Sequence, residues 1–422
     1  MATLFLFAAG PGGYRYITEA KWIVFCALGG LYLAALLIWA SREKPRLLHR
    51  PGTAQMLFLA YLLLTVLGAV CSPWRGTALL GGDRCDGALS AALYVLTALA
   101  LGAYAKPGKA LLYAAAAAMT LFCLVCVLQL CDRNPLGLFP GEFRWSGRET
   151  LYNGAFLGFT GNADLTAAVL CMGFAAFAGA ALAGAGLWFA LPGLLCGAVL
   201  AWSGLRGGML GAVGGLLLAL PGLRRWTKRR TIVYASLLAL LLAAGLAAVY
   251  LLPLGGTLGE LHAILHGEAS DGFGSGRIYI WRNVLPLLRE RPLLGSGADT
   301  LGVWGDLKFL KTLSDGSVLS RKIDCAHCEY LNVAVNQGIP ALLCLLGGTA
   351  AALLCGRRRG RSAAILRAAV FAYAVQALTG ITMPGSTAYF WLCLGLLMAC
   401  CRTDNESDTN AEKGKRKWTL RN

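Results

Sequence analysis

The sequence predicts an all-α membrane protein, a polytopic bundle of about eleven spans with a large, partly helical, outward-facing loop. Three observations predict it. The 422-residue chain is 57% hydrophobic and only 14% charged, against about 25% charged in soluble globular chains. Apolar runs of the ~20 residues that a bilayer crossing requires recur along the whole length. The basic segments fall on alternate connections, where a Lys/Arg bias marks the cytoplasmic side. The 54 glycines suit the same fold, because small residues let helix backbones approach closely in lipid.

In chain order, the predicted spans are 22–40, 54–71, 87–105, 110–130, 163–182, 186–202, 207–222, 231–253, 329–355, 363–383 and 385–401. The seventh is short and Gly-rich, and the ninth opens with polar residues. The basic connections are 41–53 (Arg42, Lys44, Arg46, Arg50), 105–109, 221–230 (Arg224, Arg225, Lys228, Arg229, Arg230) and 356–362 (Arg357, Arg358, Arg359, Arg361). With the tail after Arg402 they all fall on one side, which the positive-inside rule makes cytoplasmic. The expected organisation is N-terminal helices over 1–253, an extracytoplasmic loop over 254–328, C-terminal helices over 329–401 and a basic tail over 402–422. The tail mixes Asp, Glu, Ser and Lys and is expected to be disordered. The first ten residues lack a basic segment and are not read as a cleaved signal.

The net charge of +17 follows from those basic connections. No basic soluble domain is present to bind nucleic acid. Most of the 15 cysteines lie inside apolar runs, where Cys behaves as a small hydrophobe, so no disulfide framework is read. The loop from 254 to 328 is too long to be structureless without a function, and has room for two or three helices.

Four polar groups stand at outer ends of predicted spans. Arg206 lies in Trp202-Ser203-Gly204-Leu205-Arg206-Gly207-Gly208. An Arg between two apolar spans faces a wet cavity, an anion or the interface. Arg277 follows Gly274-Ser275-Gly276 and precedes Trp281. His327 lies in Ala326-His327-Cys328-Glu329-Tyr330-Leu331, and Asn162 and Asp164 open the fifth span. Each alone has an ordinary structural reading; His327, for example, suits a helix cap or a bond to a backbone carbonyl.

Together, in this order, these motifs resemble the O-antigen ligase and O-antigen polymerase family. The resemblance runs through Gly161-Asn162-Ala163-Asp164, Leu205-Arg206-Gly207-Gly208 and Ser275-Gly276-Arg277 with Trp281. It continues through Arg291-Pro292-Leu293-Leu294-Gly295-Ser296-Gly297 and Ala326-His327-Cys328-Glu329-Tyr330-Leu331 with Gly338. Gly82-Asp83-Arg84-Cys85-Asp86-Gly87 is similar to a shorter family signature. It covers about residues 80 to 355. Cys328 stands where the family usually has Asn, and Arg291 where it often has His.

The resemblance implies transfer of a glycan from a polyprenyl diphosphate carrier to an acceptor hydroxyl, on the outer face of the cytoplasmic membrane. The residues suit that chemistry. A departing lipid diphosphate gains negative charge, and guanidinium groups grip phosphate oxygens without a metal. Arg206 and Arg277 are the expected catalytic arginines, with Arg84 in a substrate-binding role. His327 is the expected general base, since imidazole titrates near neutrality. Asn162, Asp164, Trp281 and Glu329 are expected substrate contacts, Glu329 toward the acceptor. Trp281, Trp304 and Tyr279 suit either sugar stacking or the membrane interface. No cofactor or metal is expected.

Two other readings compete. His262 and His266, with Cys325, His327 and Cys328, contain zinc-type ligands, and Cys325 and Cys328 are close enough in sequence to pair. A transporter or flippase of lipid-linked sugars would place its polar groups near mid-membrane. Here they gather at one face beside a large loop, which favours an enzyme.

Overall fold

The computed structural model describes residues 2–43, 52–145, 152, 154–253, 255–312, 318–355 and 360–419. The expected basic residues Lys44, Arg46, Arg50, Arg357, Arg358 and Arg359 lie outside the described residues.

The chain opens with α1 (Ala2–Leu6) and a 3-10 turn (Gly13–Tyr16), followed by α2 (Ile17–Glu43), α3 (Thr53–Val70) and α4 (Arg75–Leu80). Next come α5 (Ala88–Tyr104), α6 (Lys109–Leu130), α7 (Ala163–Leu182), a 3-10 turn (Leu187–Phe189) and α8 (Ala190–Trp202). Then α9 (Arg206–Leu223) and α10 (Lys228–Leu251) complete the N-terminal group. The large loop carries α11 (Gly256–Leu265), α12 (Phe273–Val284), α13 (Leu287–Glu290), α14 (Leu301–Trp304) and the strands β1 (Lys308–Thr312) and β2 (Val318–Lys322). The chain returns through α15 (Glu329–Gln337), α16 (Ile339–Cys355), α17 (Arg361–Gln376) and α18 (Pro384–Thr419).

The predicted spans fall largely on helices, and the fold is an all-α polytopic bundle. Among the described residues, seven helical segments are long and apolar enough to cross a bilayer, and Ala88–Tyr104, Leu187–Trp202 and Ile339–Cys355 are shorter apolar helices. The α7 helix is the central post: most of it is buried, whereas α10 is almost wholly exposed on the outside. It packs against α8, α9 and α17, while α5 pairs with α18 and α3 with α16. Small residues set the closest approach. A Cβ on Gly215 of α9 would lie 2.4 Å from the Ala372 backbone of α17, the tight seam that membrane helices use in place of a hydrophobic driving force.

Four details differ from the sequence expectation. The ninth span is two helices, broken at Gly338 with φ +90°. The tenth helix ends at Gln376, short of the predicted 383, and a non-helical stretch follows up to Pro384, which opens α18. The loop contains one two-stranded antiparallel hairpin, with Lys308 paired to Lys322. The tail continues α18 as helix to Thr419 rather than losing structure after Arg402.

The loop has its own small core of Ile280, Val284, Leu301, Ile323, Ala326 and Val335. It joins α12, α14 and α15, so the loop docks on the bundle through the segment that bears His327.

Candidate active site

The site is built where the loop meets the ends of α5, α7, α9, α15 and α17. Local backbone chemistry places each group.

Arg277 is delivered by a chain reversal. Gly274, Ser275 and Gly276 all hold positive φ, at +61°, +60° and +85°, a run that only glycine adopts freely. The reversal folds the Arg277 side chain back. Its Nη1 donates to the Gly274 carbonyl at 2.9 Å and its Nη2 to the Thr379 carbonyl at 3.0 Å. The Asp164 carboxylate stands 3.9 Å from Nη2, and Nε is buried without a partner. The guanidinium is therefore fixed by carbonyls and only loosely neutralised, which leaves it able to hold an anion.

Asp164 is set by the start of α7. Asn162 caps that helix, its side chain accepting from the Asp164 N–H at 2.8 Å, the usual role of an N-cap Asn. Asn162 thus positions Asp164, and Asp164 faces Arg277.

Arg206 is the first residue of α9 and is exposed; its Nη1 donates to the Thr257 hydroxyl on α11. The next residue, Gly207, packs so closely on Thr379 that a Cβ would lie 2.6 Å from its hydroxyl. Arg206 and Arg277 consequently flank the Thr379 turn from two sides. Arg206 stands at a helix end beside the loop, not in the middle of a span, which removes the observation a transport reading needs.

His327 sits on a strained turn. Its φ is +46°, uncommon outside glycine and costing on the order of 1–3 kcal/mol. The neighbours pin that turn: Ala326 N donates to Asn332 Oδ1 at 3.2 Å, Trp281 Nε1 donates to the Ala326 carbonyl at 2.9 Å, and Glu329 N donates to the Ala377 carbonyl at 2.8 Å. Burial pushes the imidazole below its ordinary range, and the guanidinium charges of Arg84 and Arg277 push the same way against Asp164 and Asp324. The ring is thus held neutral, the state a base requires.

Arg84 is buried and its Nη2 donates to Asp324 Oδ1 at 2.9 Å. It is therefore tied to the loop three residues upstream of His327. The Gly82-to-Asp86 turn that presents it is held by Asp299, whose Oδ2 accepts from Gly82 N at 2.7 Å and Asp86 N at 3.2 Å. Burial, with Asp86 nearby, pushes Asp299 up to about 7.

Two expected contacts have a different place. Glu329 is buried and faces a closed polar cavity of about 20 Å³, room for about one water. Asp86, Tyr94, Asp299, Asn332 and Thr382 also line that cavity. Glu329 therefore lies inside the bundle, because the N-terminus of α15 is buried against Ala377. Trp281 spends its N–H on the Ala326 carbonyl, so it clamps the His327 loop.

The zinc reading finds no geometry. His262 Nδ1 lies 2.7 Å from the Val249 carbonyl and His266 Nδ1 lies 2.9 Å from the His262 carbonyl. Among the described residues no three His, Cys, Asp or Glu side chains converge as metal ligands. Cys325 and Cys328 are free thiols.

Sequence reasoning missed Asp299 and Thr379 as builders of the site. Asp324 was legible as an acidic residue three before His327. Thr379 was hidden inside an apolar run that reads as a span.

The arrangement is that of a polytopic membrane protein with a basic, histidine-containing site at one end of its helices. Residues 191–346 match the family model described as O-antigen ligase. The matched stretch runs from α8 into α16 and carries Arg206, Arg277, His327 and Glu329. Fold and match together support a membrane glycan ligase or polymerase. Over residues 191–346 the match agrees with the resemblance read from the motifs. No curated protein gives a significant match to the chain.

Proposed function

We propose that the protein transfers a glycan from a polyprenyl diphosphate carrier to an acceptor hydroxyl on the outer face of the cytoplasmic membrane, without a metal. The observation that carries this reading is His327, half-buried on a left-handed turn and set electrostatically between Arg84 and Arg277. His327 takes the proton of the attacking hydroxyl. The hydroxyl oxygen then bonds the anomeric carbon as the bond to the carrier phosphate breaks. Arg277, with Arg206 across the Thr379 turn, holds the departing diphosphate. Fixed donors aimed at developing charge contribute a few kcal/mol each.

Asp164 keeps Arg277 aimed while unloaded, and at 3.9 Å it yields readily to a diphosphate. Arg84 and Asp324 position the His327 loop, and the Arg84 charge helps to hold its ring neutral.

The test is transfer from a purified polyprenyl diphosphate glycan to acceptor by the reconstituted full chain. His327→Ala is expected to lose about 10²–10⁴-fold in rate. Near-wild-type transfer by that variant would sink the base assignment. In cells, single units accumulating on the carrier mark a polymerase, and finished chains accumulating there mark a ligase.

A further inference from the structure

An apolar groove of about 370 Å³ runs along one flank of the bundle between α2, α5 and α18. Phe25, Leu28, Leu93, Leu101 and Leu396 line its walls. From Leu93 to Ala105 it follows α5 for ~18 Å at the helical rise of ~1.5 Å per residue. That length is close to one leaflet's share, ~15 Å, of a ~30 Å hydrocarbon core.

The groove ends on cations. Ala105, Lys106 and Pro107 form its end. Arg402 of α18 reaches the same point, its Nη2 donating to the Ala105 carbonyl at 3.4 Å. The Arg402 Nε is buried and has no partner among the described residues. Beside them the rings of Trp39 and Tyr104 meet edge to face at 5.2 Å, the kind of aromatic pair found at headgroup level. This is the C-terminal end of α5, opposite the end that carries Asp86 and the candidate active site.

We propose that this groove binds one acyl chain of an anionic phospholipid whose phosphate is held by Lys106 and Arg402. The apolar walls give the chain a concave seat. An unpartnered guanidinium N–H beside an ammonium group calls for an anion, and phosphate oxygens suit both. A lipid-linked glycan donor does not fit the same seat. Its diphosphate belongs at Arg277, at the other end of the helices, and the groove spans a single leaflet.

The test uses the full chain in detergent, titrated with phosphatidylglycerol and phosphatidylcholine of equal chain length and read by native mass spectrometry. Wild type is expected to retain one phosphatidylglycerol with a preference of about tenfold or more, from two basic groups near a lipid phosphate. The double variant Lys106→Ala, Arg402→Ala is expected to lose the preference yet still take either lipid. Leu101→Trp, which fills the groove, is expected to retain neither. Equal retention of the two lipids by wild type overturns the proposal. So does a preference that survives in the double variant, or displacement of phosphatidylglycerol by an equimolar isoprenyl phosphate. A Leu101→Trp protein with unchanged melting that still holds phosphatidylglycerol overturns it too.

Discussion

At the scale of single residues, His327 couples charge to chemistry. Burial and two guanidinium groups lower its proton affinity, so the neutral ring persists below the usual imidazole value of ~6.5. Transfer, measured as kcat/KM against pH, is expected to keep its acid limb below ~6.5, since loss of the base requires protonation of the free enzyme. Arg84→Gln removes one positive charge and leaves Asp324 facing the loop without its partner. Both changes favour imidazolium, so the limb is expected to move upward. A limb unmoved in Arg84→Gln would separate Arg84 from the base. Arg277 is a different case. Arg277→Lys keeps a charge but loses the planar fork that grips two oxygens. Its kcat is expected to fall about 10²–10³-fold, the range for loss of one aimed donor, with Thr379 and Gly274 left without their bonds. The fall is checked in single-turnover transfer. These residues were legible in the sequence as isolated polar groups in an apolar chain. Their partners were not, because Asp164, Asp324 and the Thr379 carbonyl reach them across 102 to 240 residues of chain.

At the scale of elements, the Arg291-to-Gly297 motif and the Gly338 break form one joint. Ile339 N donates to the Pro292 carbonyl at 2.9 Å and Gly297 N to the Asn336 carbonyl at 2.8 Å. Asn336 Oδ1 in turn accepts from Leu301 N at 2.8 Å, holding the start of α14. The motif that resembles a family signature is thus a backbone clamp on the C-terminal end of α15, whose N-terminal end carries His327. A Cβ at Gly338 would lie 2.2 Å from the Leu293 carbonyl, in a residue already at φ +90°. Gly338→Ala is therefore expected to lose more than the ~1–3 kcal/mol of left-handed strain alone. The measurement is thermal unfolding in detergent, and an unchanged midpoint would show that the joint gives way freely. The sequence made the motif visible but not its duty. Gly338 inside a long, largely apolar segment reads as part of a continuous span, and only the close backbone contact shows why the helix must break there.

At the scale of the whole molecule, the eleven helical segments were legible because each is an apolar run bounded by polar residues. The layer joining loop to bundle was not, because its interior is polar. Asp86, Asp299 and Glu329 meet around one small cavity although Asp86 lies more than two hundred residues before the other two. That layer makes the stability of the molecule depend on pH in a direction that can be worked out. Burial raises Asp299 to about 7 from an ordinary value of 3.8, and Asp86 is raised as well. Between those values the native state holds a proton that the unfolded chain releases. Stability therefore falls as pH rises through about 7, at up to about 1.4 kcal/mol per pH unit for one proton. His327 has the opposite sign, since its affinity is lowered, but its effect is confined to pH below ~6.5. His327 is thus out of play from about pH 6.5 to 8. Over that window, the Asp299 contribution to the thermal midpoint of the full chain in detergent is expected to drop. Asp299→Asn keeps an oxygen for the Gly82 and Asp86 N–H groups and carries no proton to lose, so it is expected to flatten the drop. The remaining slope belongs to the other buried ionisable groups. A variant with the wild-type slope would mean that Asp299 is ionised in the folded protein and that the polar layer is open to water.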